Sequence, residues 1–500
     1  MKMVSTLLCL SCIGLASASP AIENPTNASA LIQSDEFFDK ALVENSLRHK
    51  ILIADSLDQK MNILDRMHYY NVPGISIAIV NNGKIAWASG YGNITNGNPF
   101  KAVDEHTLFQ AGSISKSLTA YGSFLLVQQG KIDLDEDVNT YLRSWKIPEN
   151  EFTQTEKVTL RRLLSHTAGT SVHGFPGYTV GDSIPSTIDV LDGVKPLVNT
   201  DPVRVIMQPG TKFKYSGGGT TIVQLLIEDI TGEKFDGWMQ TNVLTPLGMS
   251  ESTFSQPFSL THADRAAYGH QREEKVEGHW HIYPEKAAAG LWSTPTDLAK
   301  FLLHIQSTLK TDNALLLNPT LVKEMITKQL PSEKTDEPGL GFFIKNDGDD
   351  LVFLHYGQDE GFISNLYGFA NRGQGVVIMM NNDAGWSLMG EIQNSVGDTY
   401  GWPNFTPLKK RSLPLNTSIL GDLQGKFTSQ DEEIEVSVIE DKPYVRFQFD
   451  QVSELFRQSD HVYFIKEEDV TLEFVIAPSN KIEAIVVTDP NKKTIVFQRT

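Results

Sequence analysis

Strand-like runs at two distant places in the chain constrain its fold most. Gly74-Ile75-Ser76-Ile77-Ala78-Ile79-Val80 leads through Asn81-Asn82-Gly83-Lys84 into Ile85-Ala86-Trp87-Ala88. Two apolar runs around an Asn-Gly pair read as a β-hairpin, because that pair tolerates the left-handed conformation a two-residue turn requires. Residues 34–70 before it carry a charge-rich helical pattern, and residues 130–300 after it are mostly helix and loop, punctuated around Gly174-Phe175-Pro176-Gly177. Strand character returns at Leu351-Val352-Phe353-Leu354 and at Gly375-Val376-Val377-Ile378-Met379-Met380. Strands at both ends with helices between them imply one sheet closed by distant segments and carrying a helical insertion.

A second unit follows. The chain breaks at Trp402-Pro403-Asn404-Phe405-Thr406-Pro407, then runs through Lys409-Lys410-Arg411 and Pro414. Beyond it Ile434, Val436 and Val438 alternate with polar residues, as do Val445, Phe447 and Phe449, and Leu472, Phe474 and Ile476. Period-two alternation in short runs predicts half-buried antiparallel strands, here a small β-barrel or sandwich. The expected organisation is a main domain over 35–400, a linker over 401–414 and a β-domain over 415–500. The 500 residues exceed what one core usually serves.

Residues 1–18 read as an export signal, with Lys2 in a short n-region, an apolar run from Val4 to Leu15 and small residues at Ala16-Ser17-Ala18. Both cysteines, Cys9 and Cys12, fall inside it, so a mature chain has neither disulfide nor cysteine chemistry. A lipoprotein anchor at Cys12 is disfavoured because Cys9 stands where an aliphatic residue is wanted. No later apolar run reaches the roughly 18 residues that a spanning helix needs, so the expectation is an exported protein, periplasmic or secreted, with no integral membrane segment once the signal is removed. A net charge of −18 argues against a nucleic-acid partner. No P-loop, dinucleotide fingerprint or H-E-x-x-H is present. The G-x-S-x-G elbow is also missing, since Gly385-Trp386-Ser387 lacks its closing glycine.

The chemistry centres on Ala111-Gly112-Ser113-Ile114-Ser115-Lys116. Ser113 and Lys116 stand three apart where a glycine opens a helix, so the amine and the hydroxyl share one helix face. A serine hydroxyl needs such a base to become a nucleophile. S-x-x-K recurs at Ser307-Thr308-Leu309-Lys310, but that copy ends a helical run beginning at Thr294-Pro295-Thr296-Asp297 and reads as a polar helix tail. Two further polar sites keep company with Ser113 in chain order: Lys214-Tyr215-Ser216-Gly217 and His355-Tyr356-Gly357-Gln358.

In these segments the chain resembles the β-lactamase and penicillin-binding-protein superfamily of serine hydrolases, closest to its class C β-lactamase, esterase and D-aminopeptidase branch. Leu163-Leu164-Ser165-His166-Thr167-Ala168-Gly169 and Gly290-Leu291-Trp292-Ser293-Thr294-Pro295 share the likeness, which spans roughly residues 40–400. The resemblance implies an α+β fold, an antiparallel sheet flanked by helices with a helical subdomain, and a C-terminal lipocalin-like β-domain that shapes substrate access or holds a partner surface. It implies Ser113 as nucleophile, Lys116 as its proton partner and Tyr215 as second acid/base. The N–H groups of Ser113 and Gln358 would form the oxyanion hole, and His355 and Gly357 would bind substrate where the family often has Lys-Thr-Gly. Two departures stand out: Tyr-x-Asn is replaced by Tyr215-Ser216-Gly217, and the lysine of Lys-Thr-Gly by His355. Both remove contacts that a penicillin or a D-Ala-D-Ala terminus would use.

The implied function is an exported serine hydrolase that cleaves an ester or amide of a small molecule or peptide through a Ser113 acyl-enzyme, of esterase or D-amino-acid peptidase or amidase type, with no cofactor. The alternatives are a penicillin-binding or weak β-lactamase or D-Ala-D-Ala carboxypeptidase-like protein, and a slowly acylating sensor. Oligomeric state is left open. Adjacent Ser165 and His166 cannot act as nucleophile and base, and read as pinning a turn. His262, His270, His279 and His281 lack the cysteine or spaced carboxylate of a zinc set and read as a surface hairpin, with His279 and His281 on one strand face.

Overall fold

The structure is a computed structural model describing residues 37–57, 60–95, 101–258, 263–312, 316–330, 336–429, 432–447, 452–479, 481–490 and 492–500. The expected export signal, His262 and Phe449 lie outside the described residues.

Seven antiparallel strands form the main sheet: β1 (Gly74–Asn81), β2 (Lys84–Gly92), β3 (Glu337–Pro338), β4 (Phe343–Asp347), β5 (Asp350–Asp359), β6 (Phe362–Phe369) and β7 (Gly375–Met380). Their spatial order is β3-β4-β5-β6-β7-β1-β2, so β1 and β7, nearly 300 residues apart in sequence, lie side by side. The hairpin turn between β1 and β2 is formed by Asn82 at φ 52° and Gly83 at φ 71°, the left-handed pair that the Asn-Gly signal implied.

Alternation within β1 explains why this sheet sits in the middle of the molecule. Ile75, Ile77 and Ile79 point into one hydrophobic cluster, with Leu388, Met389, Ile392 and Val396 of the helix α4 (Trp386–Tyr400). Ala78 and Val80 point into the other, with the helices α1 (Ser115–Gln128), α2 (Gly217–Thr231) and α3 (Pro295–Leu309). A strand buried on both faces reads as a continuous apolar run. Helix α3 starts as its residues dictate, with the Asp297 N–H donating to Thr294 Oγ1 at 3.1 Å and proline in the first turn. The second S-x-x-K is the end of this helix, with Ser307 and Lys310 both exposed.

Within residues 401–414, Trp402 packs its ring on Tyr367 at 5.3 Å between centroids. Leu408–Lys410 then pairs in parallel with Ile51–Ile53. Within the segment expected as a linker, Trp402 and Phe405 join the α4-side core. Residues 425–499 carry a nine-stranded antiparallel sheet whose two outermost strands, Val452–Glu454 and Phe456–Arg457, are separated by Leu455 alone, so the sheet nearly closes into a barrel. Phe427, Ile434, Val436, Val445, Tyr463, Leu472, Phe474 and Phe497 are buried in its core. The barrel meets the ribbon before it through the Ile51 N–H, donating to the Lys466 carbonyl at 2.9 Å, and through a Lys410–Asp469 ion pair at 2.7 Å.

Candidate active site

Strand β4 stops pairing with β5 at Phe343–Leu354, so residues 355–359 are bonded to β6 on one side only. The free side of this stretch meets the turn that carries Ser113. Contact is close enough to require glycine on both partners. A Cβ on Gly357 would stand 2.0 Å from the Ala111 carbonyl oxygen and 2.3 Å from Ser364 Oγ. A Cβ on Gly112, at φ +50°, would stand 2.5 Å from the Gln358 nitrogen. The Ser364 hydroxyl fastens the seam by donating to the Ala111 carbonyl at 2.8 Å.

Gly112–Ile114 forms one 3-10 turn that runs directly into α1, placing Ser113 at the positive end of a helix. Lys116, 4% exposed, donates from Nζ to Ser113 Oγ at 2.9 Å and to the Ala288 carbonyl at 2.8 Å. That carbonyl belongs to a turn over residues 284–291 that several side chains pin. Gln224 donates from Nε2 to the Pro284 carbonyl at 3.0 Å and accepts at Oε1 from the Ala287 N–H at 2.9 Å. Thr119 donates to the Ala287 carbonyl at 3.0 Å, and the Leu291 N–H donates to Ser115 Oγ at 3.0 Å. Gln224 and Ala288 had escaped sequence reasoning: a backbone carbonyl leaves no trace in residue type, and Gln224 reads as any residue of an apolar helix.

Tyr215 is held from both ends. Ser216 caps α2 by accepting from the Gly219 N–H at 2.9 Å, and its own hydroxyl donates to the Ser171 carbonyl at 2.6 Å. The Ser216 N–H donates to His166 Nδ1 at 3.2 Å, and the His166 ring lies 4.2 Å from that of Tyr215. His166 thus does more than pin its own turn at φ 57°; it fixes the tyrosine. Lys116 Nζ is 5.1 Å from the Tyr215 ring centroid. Burial, followed by the charge of Lys116, holds the His166 pKa well below its usual value, so His166 is a neutral acceptor.

His355, expected to bind substrate, is 2% exposed, with its ring centroid 6.4 Å from that of Tyr215. Its Nδ1–H donates to the Tyr356 carbonyl at 2.7 Å. Burial, then the nearby Lys116 charge, lowers its pKa to about 3, so it presents no positive charge at neutral pH. Gly357 packs against the Ser113 turn. Gln358 is exposed and lines the pocket with Ser113, Lys116 and Tyr215.

The pocket encloses about 290 Å³ and is further lined by His173, Phe175, Asp359, Glu360 and Asp383. Among the described residues, none of the barrel lines it. Beside it Glu285 is fully buried with neither carboxyl oxygen hydrogen-bonded, and burial pushes its pKa up to about 8. Among the described residues no group of three or more His, Cys, Asp or Glu is placed to hold a metal ion. His279 takes a left-handed conformation at φ 81° and stacks on Tyr268, so it does not share a strand face with His281. His270 is fully buried, not at the surface, with Nδ1 3.0 Å from the Asn381 carbonyl. Among the described residues no helix is long and apolar enough to cross a membrane.

Comparison with known proteins agrees with this geometry. Protein flp of Staphylococcus aureus strain N315 is 27% identical over 347 residues, 66% of this chain and 64% of that protein; the chain therefore spans just under two thirds of that relative's length. Penicillin-binding protein 4* of Bacillus subtilis is 20% identical over 425 residues, covering 81% of this chain and 90% of its own. Among solved structures, the octameric penicillin-binding protein homologue from Pyrococcus abyssi superposes with a TM-score of 0.59 at 21% identity, covering 87% of this chain and 98% of its own. A D-amino acid amidase from Ochrobactrum anthropi gives 0.53 at 20% identity, over 67% and 97%. The Beta-lactamase family model matches residues 60–390, and the chain belongs to that family of serine hydrolases.

Proposed function

We propose that this protein hydrolyses an ester or amide through an acyl-enzyme on Ser113, as an esterase or D-amino-acid amidase or peptidase does. The observation that carries this reading is the 2.9 Å contact between Lys116 Nζ and Ser113 Oγ on the wall of a pocket that also contains Tyr215. The step requires Lys116 as the neutral amine: Ser113 Oγ attacks the carbonyl carbon and its proton passes to the Lys116 Nζ lone pair. The oxygen of the tetrahedral intermediate lies against the N–H groups of Ser113 and Gln358, where fixed dipoles stabilise developing negative charge. Collapse breaks the bond to the leaving group, which takes the proton by way of Tyr215. Water then attacks the ester carbonyl on Ser113, giving its proton back through Tyr215 and Lys116, and the acid departs as Ser113 regains its hydrogen.

The departures from the family pattern support the amidase or esterase side. Gly217 offers no side-chain amide, and a neutral, buried His355 offers no cation to a substrate carboxylate. The D-amino acid amidase likeness fits the same preference. Export follows from the apolar run over residues 4–15 and remains part of the proposal. The experiment is a panel of p-nitrophenyl esters, D-aminoacyl anilides, D-Ala-D-Ala peptides and nitrocefin on wild type beside Ser113→Ala. Turnover of esters or D-aminoacyl anilides that vanishes in Ser113→Ala supports the reading. Faster nitrocefin turnover would favour a β-lactamase, and acylation without turnover a sensor.

A further inference from the structure

Gly112 and Gln358 carry the two sides of the oxyanion hole into contact. A Cβ on Gly112 would stand 2.5 Å from the Gln358 nitrogen and 2.9 Å from its carbonyl carbon. Ser113 follows Gly112 directly, so a small shift of this turn along β5 changes the gap between the two N–H groups that face the oxyanion. One fastening of the seam is the Ser364 hydroxyl, which donates to the Ala111 carbonyl at 2.8 Å. A second comes from the end of β5. Asp359, one residue beyond Gln358, is 5% exposed, and its carboxyl accepts a hydrogen bond from the Gly112 N–H while Oδ2 has no partner. Gly112 opens the 3-10 turn that leads into α1, where a first-turn N–H has no helix carbonyl to receive it and needs an acceptor from elsewhere.

We propose that Asp359 is a positioning residue for the oxyanion hole: by holding the Gly112 N–H while its own backbone continues from Gln358, it fixes the distance between the Ser113 and Gln358 donors. The role rests on the hydrolase reading above and adds a residue to that same site. Donors aimed at charge that develops in the transition state contribute most when they need no rearrangement as the charge appears. A clasp this close to an oxyanion must not oppose it. Burial, reinforced by Glu285 and Glu360 against the charge of Lys116, holds the Asp359 pKa well above the usual carboxylate range. The carboxyl is therefore neutral, and it ties the turn to β5 without setting a negative charge beside the hole.

The test compares p-nitrophenyl acetate with its thiono counterpart, in which C=S replaces C=O, by the rate of p-nitrophenol release in the first turnover. The proteins are wild type, Asp359→Ala, Asp359→Leu, Asp359→Asn and Ser113→Ala. Sulfur is larger than oxygen and a weaker acceptor, so a hole of fixed spacing discriminates against it. Wild type should favour the oxygen ester by more than hydroxide does. Asp359→Ala should slow the oxygen ester by about tenfold or more, a fraction of the roughly 10²–10³ lost with a whole oxyanion donor, and move the oxygen-to-sulfur ratio toward that of hydroxide. Asp359→Leu keeps the buried bulk without the acceptor; it should behave alike and decides if the alanine variant does not fold. Asp359→Asn retains a carbonyl oxygen for the Gly112 N–H and should keep most of the wild-type ratio. A defect that merely lowers the active fraction slows both esters equally. A wild-type ratio in folded Asp359→Leu, asparagine behaving as leucine does, or a wild-type ratio no greater than that of hydroxide therefore overturns the proposal. Acylation of wild type that is lost in Ser113→Ala upholds the hydrolase reading whatever the ratio does, and no acylation of wild type refutes that reading and the clasp with it.

Discussion

Glu285 is the residue whose replacement should stabilise the fold, by an amount that grows with pH. Its side chain is wholly buried, neither oxygen has a hydrogen-bond partner, and it does not cap the short helix Lys286–Ala289 that follows it. Burial raises its pKa from 4.5 to about 8. A carboxyl whose folded pKa lies above its unfolded value binds more protons when folded between those two values, so stability falls as pH rises through that window. At 1.36 kcal/mol per unit the full difference above pH 8 is about 5 kcal/mol. Roughly 3 kcal/mol of it develops between pH 5 and pH 8. Glu285→Gln keeps the shape and removes the charge, and the unpaired amide N–H groups it introduces weigh equally at both pH values. Urea unfolding of wild type and Glu285→Gln at pH 5 and pH 8 should show the variant's advantage growing by several kcal/mol across that range. An advantage equal at the two pH values, or a variant less stable at pH 8, would refute the assignment of Glu285 as a buried acid without a counter-charge. The same residue matters to the site because its turn delivers the Ala288 carbonyl to Lys116.

Other outcomes follow from the same geometry. His355, with a folded pKa of about 3 against an ordinary 6.5, contributes in the opposite sense: the unfolded chain binds the extra proton between these values, so stability falls on acidification from 6.5 toward 3, and His355→Gln should flatten that slope in denaturation curves. No limb of the pH–rate profile near 6.5 should disappear in the same variant, because His355 does not change charge there. Gly357→Ala should destabilise by roughly 1–3 kcal/mol in thermal or urea melts and slow acylation at least tenfold, since its Cβ would collide with the Ala111 carbonyl that backs the Ser113 turn; wild-type labelling rates would contradict the close seam. Tyr215→Phe should retain the acylation burst with p-nitrophenyl acetate but slow steady-state turnover by about 10²-fold or more; a burst and turnover lost in equal measure would give Tyr215 a different place in the sequence of steps.

Local signals carried most of the fold. Asn82-Gly83 fixed a two-residue turn by its left-handed backbone, and the unbroken apolar run of β1 reported burial on both faces, so a central sheet fed by distant segments was legible. Period-two alternation located the terminal barrel for the same reason. Residues 401–414 were less transparent, because proline and charge near Trp402 mask an anchor made by aromatic packing on Tyr367. At the site, Ser113 and Lys116 were visible because one helical turn brings them together. His355 was recognisable by position but not by environment: only the three-dimensional packing of Phe343 and Tyr215 around it buries the ring. Glu285 and Gln224 left no sequence signal, since burial and hydrogen-bond pairing are properties of the assembled fold.

Intact-mass analysis after treatment with a fluorophosphonate, followed by peptide mapping, tests the central claim most directly. Wild type should gain one phosphonyl group, mapped to the peptide containing Ser113, and Ser113→Ala should gain none while remaining folded. An adduct on another serine, or full labelling of Ser113→Ala, would contradict the assignment of Ser113 as the nucleophile activated by Lys116.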